Sequence, residues 1–168
     1  HTRMLTLSSA HSHHSSRVIG LVSLESGQFQ KSVIQLKRAT IINPKDEYTQ
    51  VYLAEALLKL EKEHEAFSIL KKVLCLHPYH ESAHFVPLRR LRERERLGDF
   101  ESFYQEIADI LPDMKSIAAL YHGSALVLVR LNEYSKAFEM YEKAIEANPT
   151  SYRYHYDYAV ALYRQNLF

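Results

Sequence analysis

The stretch His80-Glu81-Ser82-Ala83-His84 comes nearest to a catalytic pattern. In H-E-x-x-H, two imidazoles one helical turn apart hold zinc and the intervening Glu acts as general base. That chemistry needs both His on one helical face, a third ligand and an open cleft. Pro78 stands two residues ahead of the motif, so the motif straddles a loop and a helix start. His80 then falls outside the regular turn, and His77 does not supply a third ligand. With ten His in the chain a chance match is the simpler reading, and neither metal nor other cofactor is expected at His80 and His84.

Other reactive residue types point away from catalysis. His11, His13 and His14 lie in a polar Ser/His-rich stretch and read as solvated terminus rather than metal site. Cys75, the only cysteine, sits between Leu74 and Leu76 and reads as a small buried hydrophobe. Catalytic Ser/His/Asp or Cys/His sets, Gly-rich phosphate loops and CxxC pairs are absent from the sequence, so no enzyme is expected. Five Arg fall between Arg89 and Arg96, interleaved with Glu93 and Glu95. Pairs such as Arg89 with Glu93 suit a solvated helix face, and an acidic-partner site is the alternative. Five of the twelve Tyr crowd together at Tyr152, Tyr154, Tyr156, Tyr158 and Tyr163, where rigid contact area with a polar tip suits recognition.

The elements that position these residues follow from a period. Pro44, Pro78 and Pro112 stand 34 residues apart, each after an apolar, helix-spaced run. Thirty-four residues is the length of one helix-turn-helix repeat. Gly20, Gly27-Gln28-Phe29, Ser32, Leu36 and Ala39 precede Pro44, while Leu53-Ala54, Leu57, Ala66, Leu70 and Val73 precede Pro78. A further copy, Tyr121, Ala125, Leu128, Ala137, Tyr141 and Ala144, ends at Pro149. Helices are expected over about 14–25, 29–42, 48–60 and 63–76. The third copy is irregular, with Leu88 in place of a small residue, Pro87 inside the helix and a turn at Gly98-Asp99-Phe100. A kink or late start is expected there, then a second helix over about 100–111 that is one turn short and a longer helix from Met114 or Lys115 to Leu131. The last helix spans about 151–166, with Asn166-Leu167-Phe168 as the following turn.

In these columns the chain resembles the tetratricopeptide repeat family. The resemblance implies an all-α, right-handed α-solenoid, 1–168 as a single array, with repeats at about 13–46, 47–80, 81–114, 115–150 and a half repeat at 151–168. In that family the first helices of successive repeats line a concave groove. The lining implied here is Leu21, Val51, Glu55, Leu58, Phe85, Arg89, Arg92, His122, Leu126, Val129, Arg130, Tyr156, Val160 and Tyr163. Members that bind chaperone tails clamp a terminal carboxylate with Lys and Asn. The matching places hold Arg17 and Leu21, Val51 and Glu55, Phe85 and Arg89, so that clamp is absent.

The function so implied is a protein-protein interaction scaffold or adaptor holding a partner peptide or helix in the groove. The alternatives are a non-catalytic, substrate-recruiting arm of a larger enzyme, and a self-assembling module that makes a homo-oligomer. Composition excludes little else: 46% of the 168 residues are hydrophobic, 24% are charged, and the formal net charge is +1. Such a balance favours neither nucleic acid nor an anionic membrane. No apolar run approaches the roughly 18 residues of a membrane span, and the expected compartment is the cytoplasm.

Overall fold

The computed structural model describes residues 2–166, with side chains from residue 11. Among the described residues the chain is all-α, without strands. The helices are α1 (Thr2–Glu25), α2 (Phe29–Ile42), α3 (Glu47–Lys59), α4 (Glu63–Leu76), α5 (Glu81–Glu93), α6 (Phe100–Ala108), α7 (Met114–Arg130), α8 (Tyr134–Ala147) and α9 (Tyr152–Asn166). The chain divides into two compact units, one up to Leu70 and one from Lys71. The expected helix start near residue 14 is corrected, since α1 already begins at Thr2. Of the turn expected at Asn166-Leu167-Phe168, Asn166 is the last residue of α9, and Leu167 and Phe168 lie outside the described residues.

In the first unit, helix pairing depends on side chains that are missing. A Cβ on Gly20 would meet Leu36 Cγ at 2.7 Å, so only glycine lets α1 come this close to α2. Ser32 Oγ donates to the Gly20 carbonyl at 2.8 Å in the same buried contact. The helix α3 starts where Asp46 accepts from the Thr49 amide at 3.1 Å, satisfying one of its orphan donors. Burial alone would raise the Asp46 pKa. Its bonds from Thr49, together with Arg17 and His13, outweigh that and hold it below the usual carboxylate value. Ala54 and Ala66 are both fully buried, as their small size suggested.

The second unit follows the same logic. Phe100, Phe103, Tyr104, Ile107 and Ala108 of α6 are buried at positions i, i+3, i+4, i+7 and i+8, and Ala137, Met140, Tyr141 and Ala144 repeat that stripe on α8. Asp113 caps α7 by accepting from the Ser116 amide at 2.8 Å.

A left-handed residue ends the first helix of each pair: Gly27, Glu61, Glu95 and Asn132 all have positive φ, between 56° and 78°. Glu95 follows Glu61 by 34 residues, so the third turn arrives on schedule, ahead of the turn expected at Gly98-Asp99-Phe100. The extra residues form a 3-10 turn at Leu97–Asp99, which leaves α6 nine residues long beside fourteen for α2, α4 and α8. Pro87 causes no late start, for α5 begins at Glu81 and runs on past it to Glu93, and Pro87 is buried. Met114 opens α7 as expected.

Because Ala54 is fully buried, Ala54→Phe is expected to destabilise the protein by about 1–3 kcal/mol. A urea midpoint that stays at the wild-type value would contradict a tightly packed site at Ala54.

Candidate functional site

Within the second unit, α7 and α9 carry the walls of a cleft of about 640 Å³. Its apolar surface comes from Leu126, Val127 and Val129 of α7 and Val160 and Ala161 of α9, with Gly123, Tyr79 and Tyr141 completing the lining. Five charged residues border it: Glu81, Arg130, Arg153, Asp157 and Arg164.

A buried histidine holds the start of α5 against α7. His84 is fully buried, and its Nε2 lies 2.7 Å from the Pro78 carbonyl while Nδ1 lies 2.9 Å from the Tyr104 hydroxyl. A carbonyl can only accept, so Nε2 carries the proton and donates, and Tyr104 O–H donates to Nδ1. The ring stacks on Tyr104 with centroids 5.6 Å apart. Gly123 is required opposite, because a Cβ there would fall 2.5 Å from His84 Nε2 and 3.1 Å from the Pro78 carbonyl oxygen. Burial lowers the His84 pKa to about 4, against the opposing effect of the Pro78 bond. Burial pushes the Tyr104 hydroxyl well above its usual value.

The next residue of α7 holds α9. His122 is fully buried and its Nε2 donates to Asp157 Oδ2 at 2.8 Å. Its ring is packed between Tyr154, with centroids 4.5 Å apart, and Tyr79, edge-on at 5.9 Å. The hydroxyls of Tyr79 and Tyr154 are 2.7 Å apart. Burial lowers the His122 pKa more than Asp157 raises it. Burial, with the Tyr79 hydroxyl bond, raises the Tyr154 hydroxyl well above its usual value.

The H-E-x-x-H motif is therefore structural. His80 is the N-cap of α5, where its Nδ1 accepts from the Ala83 amide at 3.2 Å, and both ring nitrogens of His84 are occupied. Among the described residues no three His, Cys, Asp or Glu side chains are grouped to hold a metal ion.

Of the groove residues expected from the sequence, the cleft brings together Leu126, Val129, Arg130 and Val160. Phe85 lies close by, half-buried, with the Arg89 and Arg130 guanidiniums 5.4 and 5.7 Å from its ring centre. Arg89 pairs with Glu93 at 3.6 Å and Arg92 with Glu133 at 3.5 Å. Tyr156 and Tyr163 are exposed on α9 and do not line the cleft. Leu21, Val51, Glu55 and Leu58 belong to the first unit. Val51, Leu58 and His122 are buried and present almost no surface to a partner. Sequence reasoning missed Tyr79, Glu81, Arg153, Asp157 and Arg164. The last three share one face of α9 at i, i+4 and i+11, a spacing that could have identified them.

Helix pairs repeated at this period define an all-α helical repeat protein. Residues 118–151 match the tetratricopeptide repeat model. That match covers α8 and most of α7, so this helix pair is similar to one tetratricopeptide repeat, and helix pairs of like period precede it. No curated protein matches the sequence. Among solved structures the chain is similar to a MamA protein, at 20% identity and a TM-score of 0.49, over 94% of this chain and 85% of that one. It is similar to pilF of Pseudomonas aeruginosa at 18% identity and a TM-score of 0.49, over 95% of this chain and 71% of that one. A third similar structure is MamA 41-end from Desulfovibrio magneticus RS-1, at 19% identity, a TM-score of 0.48 and coverage of 92% and 86%. Among the described residues no helix is long and apolar enough to cross a membrane.

The buried histidine makes a pH prediction. The folded-state pKa of His84 is about 4, below the ordinary value of 6.5, so in this range the unfolded chain binds more protons. Its stabilising effect is complete above about pH 6.5 and is lost as pH falls toward 4. Between pH 7 and pH 5 the protein should lose about 2 kcal/mol, with His122 acting in the same direction. Urea denaturation at the two pH values measures this, and His84→Gln should flatten the dependence. Equal midpoints for the wild-type protein would contradict the neutral, buried imidazole.

Proposed function

We propose that this chain is a protein-protein interaction scaffold, and that a partner's extended or helical segment occupies the cleft between α7 and α9. The observation that carries the reading is the lining itself. Leu126, Val129 and Val160 are half-exposed aliphatic side chains set in a concave wall, with charged groups at its edge. Concave, mainly apolar surfaces with a few placed polar groups are where ligands gain most from leaving water. Binding rather than catalysis also fits the histidines, since His84 has both ring nitrogens engaged and His122 lies beneath the surface. Affinity would come from apolar burial, with the charges setting register and choice of partner.

Self-association is the second reading, favoured by one feature of α9. Tyr152, Tyr156, Leu162 and Tyr163 are exposed on it, at 77%, 54%, 38% and 66%. Tyr152 and Tyr156 stack on each other there, with ring centres 5.9 Å apart.

For the cleft, the test is affinity purification from source cells with wild-type protein and Leu126→Asp in parallel. A partner held by the wild type should bind the variant at least about tenfold more weakly, as expected when a buried apolar anchor is lost. A partner that binds both equally would place the site elsewhere. A mass in light scattering that rises with concentration would instead favour self-association.

A further inference from the structure

The charges around the cleft are unequally matched, and the mismatch identifies the partner's chemistry. Arg130 is ion-paired with Glu81 and lies against the Phe85 ring. Asp157 accepts the His122 N–H at 2.8 Å and has Arg153 at 3.7 Å. Arg164 also lines the cleft and makes no ion pair among the described residues. Three guanidiniums against two carboxylates leave one positive charge in excess, and it falls on Arg164. Arg89 and Arg92, the acid-selecting residues that the sequence suggests, are engaged by Glu93 and Glu133.

We infer that the cleft takes an extended segment of a partner protein in which an aspartate or glutamate stands beside aliphatic residues. The carboxylate pairs with Arg164, and the aliphatic side chains rest on Leu126, Val129 and Val160. The inference depends on the cleft being a partner site and adds the chemistry of the occupant. A guanidinium presents parallel donors that fit a carboxylate bidentately, which gives direction as well as attraction. A basic residue would need Glu81 or Asp157, and both already hold a cationic or N–H partner. A phosphate is matched by a cluster of Arg, whereas here one guanidinium is unmatched. Length supports an extended segment. Arg153 and Arg164 are eleven positions apart on α9, a rise of about 16 Å, which about five extended residues span.

The test uses the whole chain and a phage library of short random linear peptides. Peptides selected on the wild-type protein should be enriched in aspartate or glutamate next to Leu, Ile or Val. One selected peptide is then synthesised with its acid intact and with that acid replaced by its amide. Arg164→Gln should weaken the acidic form about tenfold, a moderate loss because the site is open to solvent, and leave the amide form unchanged. Arg164→Lys should restore part of the loss, and high salt should weaken only the acidic form.

Other outcomes separate the inference from the reading beneath it. If Leu126→Asp or Val160→Glu abolishes binding while Arg164→Gln leaves the acid preference intact, the partner chemistry is wrong and the cleft stands. If a phosphorylated peptide binds tighter than the acidic one and depends on Arg153 and Arg164 together, the carboxylate assignment is overturned. If neither Leu126→Asp nor Val160→Glu affects the selected peptides, or no peptide is enriched, both the inference and the cleft reading fail. Val160→Glu is the second variant in case Leu126→Asp unfolds the protein.

Discussion

The second unit depends on one contact in which an imidazole fills the space that a missing side chain leaves. His84 lies where any Cβ on Gly123 would be, and it stays there because the Pro78 carbonyl and the Tyr104 hydroxyl fix both ring nitrogens. One buried ring thereby joins the loop before α5, the helix α6 and the helix α7. Burying an imidazole without partners would cost more than its packing returns, so the two hydrogen bonds are what make the arrangement stable. The fixed loop in turn carries Tyr79 and Glu81 to the cleft. A residue pair that resembles a zinc site is thus a packing device, and its consequence for function is geometric.

His122 extends the same scheme toward α9. Its ring sits among Tyr79, Tyr141 and Tyr154 and reaches Asp157, so the outer wall of the cleft is tied to α7 through a buried donor. Neighbouring residues of α7 therefore face two different helices, Gly123 toward α5 and His122 toward α9. This leaves Leu126, Val129 and Val160 half-exposed between them, and a half-exposed aliphatic wall is the surface a partner can cover. In the first unit the same economy appears as Gly20 under Leu36 and the fully buried Ala54 and Ala66.

Much of this was legible in the residues. The 34-residue spacing of Pro44, Pro78 and Pro112 and the small residues near helix centres specify helix pairs, and α2, α4, α7 and α9 fall within about a residue of where that pattern puts them. The third turn was misread because Gly98 looks like a helix terminator, whereas the left-handed residue is Glu95, a type without a turn signal of its own. Pro87 suggested a late start, yet α5 begins at Glu81, continues past Pro87 and buries it. Side-chain roles were harder to read. The pairing of His122 with Asp157 spans 35 residues and leaves no local trace, so a core histidine was taken for a groove residue. Val51 and Leu58 were misplaced for a related reason, since periodicity locates an apolar face but not how far its neighbours cover it. Arg153, Asp157 and Arg164 did lie on one visible face of α9, but identifying the cleft required knowing what stands opposite.

The central claim is that a partner's side chains occupy the space between α7 and α9. Methyl NMR of the whole chain, titrated with a bound peptide, observes that space directly. The account predicts that the Leu126, Val127, Val129 and Val160 methyl signals shift most, with the Ile34 and Ile41 signals of the first unit unmoved. Shifts centred on Ile145 of α8, with the cleft methyls unchanged, would contradict it.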